Sequence, residues 1–438
     1  MGKRDLLFKI LLSIVFALLI YRLGIYNNAY LLVAFINSTI CIFQLLSHEE
    51  SPYSLNKVVN VFIFVFFIIA NAIQYANHSV VTTLWISFND GEFVLFQLIV
   101  LVILLIYNGI YNIFPKIEKV WDNDEEGTVN QRLLIIISVA VTFLVVWHFR
   151  ETPIRLFVRG LSGDVYQDAL ESSHTNLIFS KFLRVIPPAC LLCGILAKIP
   201  KRASFFLLLL ALISAFPTGL SRNAIIMYWL PPILAQMGIF KRKNMFILAI
   251  LVGIFVLFPI MDNFRYYNGR VSLSFDLEYL DSMNYDASQQ FMAVVQKDIV
   301  TFGRQLLGVL LFFVPRSIWP AKPIGSGAMM AVNEFAFSNI SMPFWGEGYV
   351  NFGWIGVLVF DLFLAFLSIK LDRKYWGRQN RKGQSVVDGY YLILCSALFF
   401  ILRGDLMSSF SFTVGAMMAY LVVVKLTYRK GTQGISGV

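Results

Sequence analysis

Charge is what this 438-residue chain has least of: Asp, Glu, Lys and Arg make up 14% of it, against 58% apolar residues, and the mean hydropathy is strongly positive. Soluble domains carry about a quarter of their residues as charges, so the composition excludes one and leaves a polytopic α-helical membrane protein. Cysteine is scarce as well. Cys41, Cys190, Cys193 and Cys395 all lie inside apolar runs, which argues against a disulfide framework. The C-x-x-C of Cys190 and Cys193 has no βαβ context and reads as packing. The first apolar run follows Lys3 and Arg4 without a small-residue cleavage site, so it reads as an uncleaved first helix.

What is abundant is apolar sequence in runs near the roughly 20 residues that cross a bilayer as a helix. Twelve spans are predicted, near 5–22, 29–46, 57–76, 93–113, 132–149, 177–197, 203–219, 222–239, 244–261, 347–369, 386–402 and 408–427. Pro187-Pro188 and Pro231-Pro232 are expected to kink the sixth and eighth. With the N-terminus cytoplasmic, the inner segments hold 22 Lys and Arg and the outer ones 14, as the positive-inside rule asks. Both termini are then cytoplasmic. Spans one to nine (residues 1–262) include a smaller outer loop at 150–176. A large outer loop follows at 263–346, and spans ten to twelve with a short tail fill 347–438.

Two long loops on one side of a bundle with short connections point to an elaborated face. In the larger, residues 288–313 space apolar and polar residues as an amphipathic helix that is too short to span, suiting an interfacial or re-entrant position. FVPRSIWPAKPIGSG (313–327) follows; its three prolines exclude a helix interior or a central strand. The outer face also prefers arginine, with eleven Arg to three Lys, whereas the inner face has eight Arg to fourteen Lys. Topology asks only for inner positive charge. Guanidinium groups bind phosphate bidentately and tolerate partial burial, so an arginine-rich outer face reads as a site for a lipid-linked phosphate or diphosphate. Arg222, Arg265, Arg316 and Arg403 lie near predicted membrane borders, where a charge needs a partner; loop acids such as Asp276, Glu278, Asp281 and Asp286 are the alternative to phosphate as that partner.

PRSIWPAKPIGSG (315–327), GEGYVNFGWIGV (346–357) and RGDLMSS (403–409), in that order, with GLSRNAII (219–226) before them, resemble the Wzy-type O-antigen polymerases. The resemblance implies an all-α, GT-C-like helical bundle of the bacterial inner membrane with a large periplasmic loop. It implies an enzyme that joins oligosaccharide repeat units carried on undecaprenyl diphosphate, at the periplasmic face, without nucleotide sugar, metal or other cofactor. Its partners would be the lipid-linked repeat units, membrane lipids and a polysaccharide chain-length regulator, and not nucleic acid.

That chemistry needs cations for the leaving diphosphate and a base for the acceptor hydroxyl. The cation candidates are Arg222, Arg265, Arg316, Lys322 and Arg403. The carboxylate candidates are Glu347, favoured because it opens the helix of the NFG segment, then Glu334 and Asp405. Trp319 and Trp345 are candidate sugar contacts, although an aromatic belt accounts for them as well. Asp122-x-Asp124 in WDNDEEG has the spacing of a nucleotide-sugar metal motif but lies in a short inner loop, so it reads as a solvated acidic loop. A ligase of the same polysaccharide chemistry is the nearest alternative. Such enzymes carry a histidine in the large loop, and the histidines here are His48, His78, His148 and His174, with only His174 in the smaller outer loop. A lipid-linked oligosaccharide flippase would favour mid-membrane charge and short loops on both sides, whereas mid-membrane charge is sparse here, with Asp361 the clear case, and the outer loop is large.

Overall fold

The computed structural model describes residues 3–47, 51–82, 86–113, 127–157, 182–242, 244–260, 277–332, 340–382 and 384–430. Every predicted span holds a helix. These are α1 (Lys3–Arg22), α2 (Asn28–Leu45), α3 (Leu55–Ala76), α4 (Asp90–Ile113), α5 (Gln131–His148), α6 (Ile186–Leu196), α7 (Lys201–Ser214), α8 (Arg222–Gln236) and α9 (Met245–Ile260). After the short helices α10 (Ala287–Gln296), α11 (Arg304–Leu310) and α12 (Ser326–Val332) come α13 (Phe344–Lys382), α14 (Asp388–Arg403) and α15 (Leu406–Thr427). Seven of the helical segments are long and apolar enough to cross a membrane. Others, such as α6 with 11 residues and α14 with 16, fall below the usual spanning length.

Local chemistry sets the helix starts. Asn27, Ser54, Asn130 and Ser221 each cap a helix by accepting a backbone N–H from the first turn, which satisfies donors that would otherwise be orphaned. Pro187 and Pro188 sit in the first turn of α6, where a missing N–H costs nothing. Pro231 and Pro232 lie inside α8, which continues through them to Gln236.

Packing is inside-out relative to a soluble protein. Leu7, Leu18, Ile136 and Phe143 are exposed, while Asn37, Asn60, Asn71, Gln74 and Gln97 are completely buried. Buried amides must find partners. Gln97 of α4 donates to Asn71 Oδ1 (2.9 Å) and to the Phe67 carbonyl (2.8 Å) in α3, and Asn37 of α2 donates to Gln97. The middle of α3, Ile63–Ile69, is wound as a π-helix, a form that frees carbonyls for outside donors.

Contacts between loops sort the bundle into two ends. At one end Asp372 of α13 accepts from the backbone N–H of Leu55 and Asn56 and from Tyr111 and Tyr391. Arg378 pairs with Asp388 there. β1 (Gly127–Val129) pairs antiparallel with β2 (Tyr428–Lys430), Thr128 opposite Arg429. At the other end, Asn77 and Ser79 bind Asp281, and Gln289 accepts from the N–H of Val81 and Thr82. Thr218 donates to the Phe157 carbonyl in the same region. Loops predicted on one side meet only loops predicted on that side in these contacts.

The segment 288–313 departs from the expected single helix. It breaks into α10 and α11 around Asp298 (φ 48°), Phe302 (φ 49°) and Gly303 (φ 82°). α10 is buried on all sides from Ala287 to Val294, so it is a core element and not an interfacial one. The break has a physical cause in α13. That helix reverses at Phe352 and Gly353, where Gly353 has φ 61° and ψ −145°. Trp345 Nε1 donates to Asp361 Oδ1 at 2.9 Å, although sixteen residues of straight helix would separate them by about 24 Å. The Phe344 and Phe360 rings lie 5.0 Å apart. Residues 344–351 therefore fold back along 354–361 as a re-entrant helical hairpin. Gly348 and Gly356 touch back to back, since a Cβ on either would overlap the other's carbonyl. The reversal leaves carbonyls at the hairpin tip, and the 301–306 stretch satisfies them. Thr301 and Gly303 donate their N–H groups to the carbonyls of Val350 (2.7 Å) and Asn351 (2.9 Å), and Leu306 donates to Asn351 Oδ1 (2.7 Å).

Candidate functional site

Arg222 opens α8, just after the Ser221 cap, and Arg403 closes α14. The fold brings both to one short segment, residues 279–286, between α9 and α10. Arg222 donates to Tyr279 Oη (3.0 Å) and Asn284 Oδ1 (2.5 Å). Arg403 donates to the carbonyls of Asn284 (3.0 Å) and Met283 (3.3 Å) and reaches Asp286 Oδ1 at 3.4 Å. Asn284 thus serves one arginine with its side chain and the other with its backbone. Aromatic faces back both cations, Phe258 beneath Arg222 (5.4 Å) and Phe66 beneath Arg403 (6.0 Å), an arrangement that favours guanidinium over ammonium. Asp286 is buried and also accepts from Ser341 (2.6 Å). Burial pushes its carboxyl above the usual carboxylate range, and Arg403, Ser341 and Gln290 pull it only part of the way back.

From Arg222 an apolar groove of about 360 Å³ runs toward the other end of the bundle between α8, α9 and α14. Ile226, Leu230 and Ile233 of α8 face Ile254, Ile250 and Phe246 of α9 across it, with Phe399 of α14 on a third side. Among the described residues Arg222 is the one charged residue in its lining. The α8 wall is pinned by Trp229 Nε1 donating to the Ala215 carbonyl at 3.0 Å. Residues Gly253–Leu257 of α9 form a second π segment, and the Ile254 carbonyl accepts from Tyr285 (3.3 Å). The groove is therefore tied to the same 279–286 segment as the arginines.

Glu347 lies in the re-entrant half of α13 and is 1% exposed. One carboxylate oxygen accepts from Ser326 Oγ at 2.6 Å and the other from the Leu406 N–H at 2.9 Å. Asp405 is its neighbour. It caps α15 through Met407 and Ser408 and accepts from the Gly327 N–H (3.1 Å). A Cβ at Gly325 would overlap the Asp405 carboxylate, so glycine is required for this close approach. Burial raises the Asp405 carboxyl above its ordinary range against the pull of those backbone donors. The three quoted motifs thus meet: PIGSG supplies Ser326 and Gly327, GEGYV supplies Glu347, and RGDLMSS supplies Asp405 and Leu406.

Arg316 and Lys322 are engaged inside the proline-rich loop. Arg316 donates to the carbonyls of Lys322 (2.6 Å) and Pro323 (3.1 Å), and Lys322 to those of Phe312 (2.6 Å) and Val314 (2.9 Å). Arg304 adds a bond to the Ala321 carbonyl at 3.3 Å. Three prolines leave this loop without a regular ladder, and side-chain cations take up its carbonyls. Trp319 is half-buried on the same loop.

Trp345 corrects its sequence reading. It is completely buried, packed on Phe62 and Phe67 and hydrogen-bonded to Asp361, so it is a core residue of the hairpin and has no surface for a sugar. Arg265 and Glu334, most of the 150–176 loop and Asp122-x-Asp124 lie outside the described residues. Sequence reasoning missed Tyr279 and Asn284 as partners of the arginines, and Ser326 as the partner of Glu347. Asp286, one of the loop acids read as arginine partners, does pair with Arg403. Among the described residues no group of three or more His, Cys, Asp or Glu gathers as a metal site would require. No protein-family model, no curated protein and no solved structure matches this chain.

Proposed function

We infer that the chain is a membrane glycosyltransferase that polymerises oligosaccharide repeat units carried on a polyprenyl diphosphate, as its resemblance to the Wzy-type polymerases implies. One observation carries the reading: an apolar groove that ends at Arg222, with Arg403 bound to the same 279–286 segment. A prenyl tail matches the groove and a diphosphate matches the guanidinium pair. The acceptors now on the arginines, the Tyr279 hydroxyl, the Asn284 amide and carbonyl and the Asp286 carboxylate, hold positions that phosphate oxygens would take over. As the glycan leaves the diphosphate, charge grows on the phosphate oxygens, and the arginines stabilise it. The acceptor hydroxyl loses its proton to the Glu347–Asp405 pair, the only carboxylates that join the three motifs among the described residues. In this reading the arginine end faces the periplasm of a bacterial inner membrane.

The test is polymer formation by purified protein in lipid from undecaprenyl-diphosphate-linked repeat units. Arg222→Ala and Arg403→Ala should each lower the rate by about 10²–10³, the range for removing one donor from a developing anion. Lysine at either position should restore little, because the contacts are forked. Glu347→Gln should cost about 10²–10⁴ if it accepts the proton. Full-length polymer from the alanine variants would remove the arginines from the reaction.

A further inference from the structure

We propose that the groove reads only the first three to four prenyl units beside the phosphate, with Phe246 as its floor, and leaves the rest of the chain to the bilayer. The proposal rests on the lipid-diphosphate reading above. Along α9 the lining runs from Phe258, under Arg222, to Phe246. Those twelve residues span about 18 Å at the helical rise of 1.5 Å per residue. One prenyl unit adds four carbon–carbon bonds of about 1.5 Å, or about 5 Å when extended. The groove is therefore filled by three to four units.

The floor is rigid. Phe246 is 1% exposed and its ring lies 5.8 Å from Tyr53. Tyr53 is in turn fixed by Tyr375 (2.6 Å between hydroxyls) and by Trp376 Nε1 donating to its carbonyl (2.7 Å). A chain that reaches this aromatic stop has to leave sideways into lipid. Past that point its surroundings are the same whether it is bound or free, and only interactions that differ between two states shift an equilibrium. Halfway along, Gly253 lines the groove, and a Cβ there would meet nothing within 4 Å. A larger side chain at 253 can therefore enter the groove without moving backbone.

The experiment uses the full chain in nanodiscs of phosphatidylethanolamine and phosphatidylglycerol. It is titrated with geranyl, farnesyl, geranylgeranyl and undecaprenyl diphosphates, and binding is read from the thermal unfolding midpoint. Affinity should rise from geranyl to geranylgeranyl and then stay within twofold at undecaprenyl. Gly253→Phe should bring the plateau down to geranyl; Ala249→Phe, nearer the floor, should bring it to farnesyl and serves if the first variant does not fold. Arg222→Ala should weaken every length at least tenfold. Affinity that keeps climbing to undecaprenyl, or a length series unchanged in both phenylalanine variants, overturns the proposed floor while the arginine effect keeps the lipid-diphosphate reading standing. If none of the four diphosphates stabilises the protein, that reading fails and the floor with it.

Discussion

At the scale of single residues, the arginine end of the molecule is built around one buried carboxylate. Asp286 holds Arg403 at 3.4 Å and accepts from Ser341, yet burial keeps its carboxyl above the ordinary range. A carboxyl whose native value is raised binds its proton more tightly folded than unfolded. Its contribution to stability is complete below the unfolded value and is lost as pH rises through the native one. Asp286→Asn should therefore flatten the fall in stability as pH rises above the ordinary aspartate value of about 4. Chemical denaturation in detergent across that range checks it, and an unchanged slope would show that another group titrates there. Of the residues singled out in the sequence, Arg222 and Arg403 share a site through Asn284, and Glu347 touches the backbone beside Asp405. Arg316 and Lys322 instead bind carbonyls of their own loop, a role that no spacing in FVPRSIWPAKPIGSG distinguishes from phosphate binding.

At the scale of elements, the re-entrant hairpin of α13 is the feature that positions Glu347, and two glycines make it possible for different reasons. Gly353 supplies the backbone conformation of the reversal, in a region of φ and ψ nearly closed to other residues. Gly356 supplies contact, because a Cβ there would overlap the Gly348 carbonyl, which is backbone and cannot step aside. At Gly353 the nearest atom to an added Cβ is Val300 Cγ2 at 3.8 Å, so the strain there is purely conformational. Gly353→Ala should cost about 1–3 kcal/mol. Gly356→Ala should cost at least the 1–3 kcal/mol of an overpacked core, and it should also separate the hairpin arms and release Glu347 from Leu406. Unfolding in detergent, paired with cysteine cross-linking between positions 344 and 360, measures both. Intact cross-linking in the Gly356→Ala variant would disprove the contact. A helical pattern through 347–369 is legible in the sequence, but the reversal at Gly353 is not: a straight helix and one that doubles back share the same apolar periodicity.

At the scale of the whole molecule, the contacts between loops named above form two ends, each made of loops from one side. Asp372, Arg378 and the β1–β2 pair mark one, and the arginine pair with the proline-rich loop marks the other. This arrangement groups the described loops as the predicted alternation of helices does. If both termini are cytoplasmic, a cysteine at Ile318, 74% exposed, should react with an impermeant maleimide added to intact spheroplasts, in a background without native cysteines. A cysteine at the exposed position Lys374 should react only after permeabilisation. The reverse pattern would invert the molecule in its membrane and place the arginine end, and the proposed chemistry, on the wrong face.

The sequence by itself determined that the chain is built of apolar helices and where most of them stand. In lipid a backbone must satisfy its hydrogen bonds within its own segment, so an apolar run of sufficient length forms a helix whatever its neighbours are, and helix count then fixes alternation. The tertiary structure alone decided which polar side chains meet. Asn284 between Arg222 and Arg403, Ser326 on Glu347 and Trp345 on Asp361 are pairings across 16 to 119 residues. Each follows from how helices pack and where α13 turns back, and none leaves a periodic signal in the chain. The apolar groove is of the same kind, since its walls on α8, α9 and α14 read in sequence as ordinary membrane helix and enclose a cavity only where the three stand apart beneath Arg222.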